Sequence, residues 1–73
     1  MKYRLEESYD AWGTGNFTID REITKDISAD EATQYMQFLE ATGSKKHIAK
    51  NGTIWYASQS DSTHVTRYEF WDE

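Results

Sequence analysis

The residues able to do chemistry in this 73-residue chain gather in a few short stretches. Ser58, Ser60, Asp61, Ser62 and His64 bring together the hydroxyls, carboxylate and imidazole of a nucleophile–base–acid set. They follow one another around a polar turn, however, where side chains splay outward and no oxyanion-binding amides are assembled. A solvated turn is the expectation there. His47 and His64 lack the i, i+4 spacing of a helical ligand pair, and the chain has no cysteine, so no metal site is expected. The adjacent carboxylates Glu6 and Glu7 fall in a strand pattern and therefore point to opposite faces, unsuited to joint acid–base work. Gly13-Thr14-Gly15-Asn16 is too short for a phosphate loop and precedes a strand rather than a helix. The expectation is a protein that is not an enzyme and needs no cofactor.

Composition shifts attention from catalysis to surfaces. The formal charge is −5, with four bases against nine acids in residues 1–43 and four bases against one acid in residues 44–67. An acidic first half disfavours broad contact with a phosphate backbone and suits a basic partner. No apolar run is long enough to span a bilayer and no signal-peptide pattern follows Met1, so a cytoplasmic location and no membrane partner are expected. If the gene belongs to a phage or mobile element, that cytoplasm is the host's. Three Trp, five Tyr and three Phe are many for this length. Aromatic side chains bury the most area each, and a chain this short without disulfides needs them in its core.

The elements that must position these residues are legible from their periods. Lys2–Trp12 alternates, with Tyr3, Leu5, Tyr9 and Ala11 on one face, and Phe17–Lys25 alternates again. A three-residue loop at Gly13–Gly15 would set Ala11 opposite Phe17, Tyr9 opposite Ile19, Leu5 opposite Ile23 and Glu7 opposite Arg21. Ser28–Gly43 is the one full helix: Ser28 and Glu31 form a capping box, Ala32, Tyr35, Met36 and Leu39 make the apolar stripe with Phe38 at its margin, and Gly43 ends it. Lys46–Lys50 and Thr53–Ser58 read as strands joined by a two-residue Asn51-Gly52 turn, and Thr63–Trp71 is the last strand. A tight turn at Asp61-Ser62 would align Trp55 with Tyr68 and Ala57 with Thr66. That register places Trp55, Ala57, Tyr68, Phe70 and Ile48 beneath the helix. The expected fold is α+β: one domain over residues 1–73, two layers in the order ββαβββ, an antiparallel sheet with one helix on one face.

Two surfaces then become candidates for binding. The acids of the first hairpin and helix start, Glu6, Asp10, Asp20, Glu22, Asp30 and Glu31, are expected to form one negative patch able to occupy a basic groove of a partner protein. The sheet face away from the helix is expected to show His47, Tyr56, Arg67 and Trp71 among Ile54, Val65 and Glu69, an aromatic and charged surface. The leading expectation is a non-enzymatic protein-binding module, an accessory inhibitor of the phage or mobile-element kind acting on a nucleic-acid-processing enzyme. The alternative is a single-strand nucleic-acid binder that stacks bases on Tyr56 and Trp71, although the net charge and the lack of an RNP-like motif oppose direct nucleic-acid binding. A homodimer burying the aromatic face is a third expectation.

Overall fold

The computed structural model describes residues 1–72, apart from the side chain of Ser60. Its elements are β1 (Lys2–Tyr9), β2 (Thr18–Asp26), α1 (Ala29–Ala41), β3 (Lys45–Ile48), β4 (Ile54–Asp61) and β5 (His64–Trp71). The five strands form one antiparallel sheet in the order β2-β1-β5-β4-β3, so the first and last strands lie side by side at its centre. With one helix, this is an α+β arrangement.

The helix begins and ends on the signals its sequence carries. The Ser28 hydroxyl accepts from the Glu31 amide at 3.1 Å, and the Glu31 carboxylate accepts from the Ser28 amide at 3.3 Å. At the other end the Ser44 amide donates to Leu39 O at 2.9 Å and the Gly43 amide to Glu40 O at 3.2 Å. This is a Schellman closure, and it requires the left-handed backbone that Gly43 adopts at φ 92°. Ala32 and Leu39 are buried in one cluster with Ile27, Tyr56 and Phe70, while Phe38 stays 68% exposed. Tyr3 of β1 stands 5.2 Å, ring to ring, from both Tyr35 of the helix and Phe70 of β5. The sheet face bearing Tyr3, Tyr56 and Phe70 is therefore the one the helix meets.

The register departs from expectation on both sides of β4. Its partners are Ile48↔Ile54 and His47↔Trp55 on β3, and Tyr56↔Tyr68 and Ile54↔Phe70 on β5. Each pairing is one residue away from the expected one. In the first turn the Gly52 amide donates to Ala49 O at 3.0 Å and Gly52 takes φ 88°, so three residues rather than two make the loop. On the other side, an irregularity between Gln59 and Asp61 inserts one residue before Asp61 meets His64. A one-residue shift turns every side chain of a strand to the other face. Tyr56, expected on the open face, is fully buried beneath the helix, and Trp55, expected beneath it, is on the open side.

The first hairpin keeps Leu5↔Ile23, Glu6↔Glu22 and Glu7↔Arg21, then slips at a bulge so that Ser8 faces Ile19 and Tyr9 faces Thr18. Asp20 is the inserted residue. Phe17 and Ile19, expected opposite Ala11 and Tyr9, are 43% and 50% exposed.

Tyr56 ties the two layers together. Its hydroxyl donates to Glu40 Oε2 at 3.2 Å, and burial, followed by the charge of Glu40, pushes its pKa up to about 12. Because the folded value lies above that of a free tyrosine, about 10, this contribution is complete below about pH 10 and is lost as pH rises towards 12. Denaturant titrations from pH 8 to 12 should show that loss in the native protein and a flatter profile in Tyr56→Phe. At neutral pH, Tyr56→Phe should lower stability by about 1 kcal/mol, since exposed Glu40 can turn to water.

Candidate partner-binding surface

Alternation along five neighbouring strands sends one set of side chains to the face opposite the helix. Arg4 and Glu6 come from β1, Glu22 from β2, Arg67, Glu69 and Trp71 from β5, Trp55 from β4 and His47 from β3. They form a continuous stripe across the sheet. Arg4 stands at the centre of its acidic half. Its guanidinium holds Glu22 through Nε and Nη2, both at 3.2 Å, Glu6 at 2.6 Å and Glu69 at 3.1 Å. The hydrogen bond to Glu22, more than any other contact, raises the Arg4 pKa further above its ordinary value. Arg67 Nε approaches Glu69 Oε1 at 3.2 Å as an ion pair, although without hydrogen-bond geometry.

From Arg67 the stripe turns aromatic. The guanidinium carbon of Arg67 lies 4.3 Å from the centre of the Trp55 ring, and the His47 ring stacks on Trp55 at 4.0 Å with 13° between planes. Because β3 and β5 flank β4 on opposite sides, His47 and Arg67 approach Trp55 from opposite sides. The indole is clamped on both π faces and presents its edge. Trp71 occupies the same face opposite Lys2, which pairs with Asp26 at 2.7 Å.

Of the expected aromatic site, the structure brings His47, Arg67 and Trp71 to this face and removes Tyr56. Trp55 is the residue that sequence reasoning missed. The signal was present in Asn51-Gly52, which serves a three-residue loop over Lys50-Asn51-Gly52 with a left-handed glycine as well as a two-residue turn.

The expected acidic patch is dispersed. Glu6 and Glu22 face one another, as expected, but Arg4 neutralises them together. Asp10 is not a surface acid at all: it is 3% exposed, and its carboxylate accepts from the amides of Gly15 at 2.7 Å and Thr14 at 3.2 Å. These amide bonds, that of Gly15 first, hold its carboxyl below the usual carboxylate range. Its own amide donates to Thr63 O at 2.8 Å, so Asp10 joins the two turns at this end of the sheet. Asp20 lies at the bulge, and Asp30 and Glu31 at the helix start, where Glu31 is engaged in the cap.

The polar turn behaves as a turn. Asp61 Oδ1 accepts from the Thr63 amide and hydroxyl, both at 2.8 Å, and from the His64 amide at 2.9 Å, with His64 Nδ1 at 3.0 Å. The contact with His64 above all, then those with Thr63, holds the Asp61 carboxyl far below its usual range. Carboxylate and imidazole are thus committed to each other and to the backbone. Ser60, whose side chain lies outside the described residues, was part of the expected set.

Among the described residues, shallow depressions open on the sheet. One, about 240 Å³, is lined by Glu7, Ser8, Tyr9, Asp20, His64 and Val65, among others. The second, about 230 Å³, lies between the helix and the sheet and is lined by Tyr3, Tyr35, Phe38, Leu39 and Tyr68. Among the described residues no helix is long and apolar enough to cross a membrane.

Comparisons with protein-family models, curated proteins and solved structures return no match.

Two substitutions test how this surface and the turns at its end are held. Arg4→Met leaves Glu6 and Glu22 facing one another without their shared cation, while Glu69 keeps its ion pair with Arg67, and should lower stability by about 2 kcal/mol in dilute buffer. Concentrated salt, which screens like charges within about 3 Å at 1 M, should restore part of the loss in a denaturation curve. For Asp10 the folded pKa is lowered, so its contribution is present above about pH 4 and fades as pH falls below that value. Asp10→Asn should melt at a lower temperature than the native protein at pH 7, with the gap narrowing as the melts are repeated towards pH 2.

Proposed function

We propose that the chain is a small acidic, non-enzymatic protein-binding module whose contact surface is the sheet face turned away from the helix. In this reading it acts in the cytoplasm by covering a partner's surface, as an inhibitor of a nucleic-acid-processing enzyme would. The clamped Trp55 carries the proposal. Trp and Arg dominate interface energetics, and a side chain already held in one conformation loses little entropy when a partner arrives. Here both residue types are held in advance, Trp55 between His47 and Arg67, and Arg67 through Glu69 to Arg4. The net charge of −5 favours encounter with a basic partner.

The same observation weighs against base stacking. A nucleobase needs an open π face, and both faces of Trp55 are taken, while Tyr56 is buried. Trp71 alone is a poor platform for a strand.

The test uses the immobilised full chain, lysate of the organism that encodes it, and the variants Trp55→Ala and Arg67→Glu. A protein retained by the native chain and bound at least tenfold more weakly by both variants, with circular dichroism unchanged, is the expected result. Fluorescent single-stranded oligonucleotides titrated at low and moderate salt should show no binding. Tight, salt-sensitive oligonucleotide binding abolished by Trp71→Ala would replace this reading with the nucleic-acid one.

A further inference from the structure

We infer that the helix-side groove is a self-association site, in which the helix of a second copy of this chain lies against the first hairpin and places its Phe38 in the aromatic depression. The groove has walls of opposite character. On β2 the residues sharing the helix side are Arg21, Ile23 and Lys25, paired with Glu7, Leu5 and Tyr3 of β1. Arg21 and Lys25 are exposed; Arg21 lies 3.7 Å from the Glu7 carboxylate, and Lys25, beside the depression, lies 5.8 Å from the centres of both the Tyr3 and Tyr35 rings and donates to the Tyr35 hydroxyl at 3.5 Å. The helix, ADEATQYMQFLEA, carries three acids and no base. Glu31, whose Oε1 also accepts from the Ser28 amide in the cap, is two turns before Phe38 and so lies on the same side of the helix. A helix from a second copy therefore brings an acid towards Lys25 and Arg21 while Phe38 meets the rings of Tyr3, Tyr35 and Tyr68. A two-fold axis repeats the contact, since each copy owns both a helix and a hairpin.

Volume suits a protein side chain rather than a small molecule, and the small core favours a second copy. At about 230 Å³ the depression is smaller than the ~300 Å³ at which small-molecule pockets begin, and it suits a single side chain. Among the described residues the buried apolar ones are Ile27, Ala32, Leu39, Tyr56 and Phe70, whereas Phe38 is 68% exposed at the groove's rim. The chain has no cysteine, and association is a common way for so small a core to gain stability. The open face, with Trp55 and Arg67, takes no part, so this site is independent of the proposed partner surface.

Sedimentation equilibrium of the full chain, from low micromolar to near-millimolar concentration, tests the inference. The expected mass rises from that of one 8.6-kDa chain to that of two, with a melting temperature that climbs as concentration rises. Phe38→Asp should remain monomeric throughout with its far-ultraviolet dichroism intact, because the removed side chain is largely exposed in the single chain. Lys25→Glu should weaken the dimer at least tenfold, while Lys50→Glu, in the β3–β4 turn, should leave it unchanged. A chain that is monomeric at every concentration, or a dimer equally tight in Phe38→Asp and Lys25→Glu, overturns the inference.

Discussion

The pairing of the first strand with the last is the constraint on which this structure depends. All eight residues of β1 are matched against β5, from Lys2↔Trp71 to Tyr9↔His64. That ladder joins two hairpins separated by the helix, and it assembles both working faces at once. On one side it sets Tyr3 against Phe70 and completes the aromatic floor under the helix. On the other it sets Arg4 against Glu69 and makes the stripe continuous. Contacts between chain ends require the closure of a long loop, so this ladder is also where the entropic cost of folding is concentrated.

The two sheet faces solve different problems. The helix side holds rings edge to face, as with Tyr56 and Phe70 at 6.2 Å and 89°, with polar links from Tyr56 to Glu40 and from Lys25 to the Tyr35 hydroxyl. The open side is held by charge and stacking. Its ion pairs are only partly desolvated, with Arg4 22% exposed, so each contributes modestly to stability on its own. Together they restrict rotamers. Arg67 is positioned by Glu69 on one side and by the face of Trp55 on the other, and His47 closes the stack. A surface ordered in this way is suited to recognition because its entropy is spent in folding rather than in binding.

The acidic character of the chain is used differently from what a count of charges implies. Asp10 and Asp61, each at a strand end beside a turn, accept backbone amides and tie loops down. Glu31 caps the helix and Glu40 anchors Tyr56. Glu6, Glu22 and Glu69 converge on one guanidinium. Side chains that look like a solvated negative field in the sequence are in several cases structural acceptors.

Local chemistry alone determined the helix, its capping box, its Gly43 ending and its stripe of Ala32, Tyr35, Met36 and Leu39, because those depend on spacing within a few residues. It also determined that β1 and β2 alternate and that Leu5, Glu6 and Glu7 meet Ile23, Glu22 and Arg21, since apolar and charged positions match in only one register. What the sequence left open was the parity of β4. Ile54-Trp55-Tyr56 is apolar in both phases, so no hydrophobic period chooses its face. The choice fell to two inserted residues, one in the loop that Gly52 permits and one before Asp61. They turn Tyr56 inward, where its hydroxyl reaches Glu40, and bring Trp55 out between His47 and Arg67. The strand order, the clamp and the internal role of Asp10 belong to the tertiary structure, because each joins residues from separate elements that no local pattern brings together.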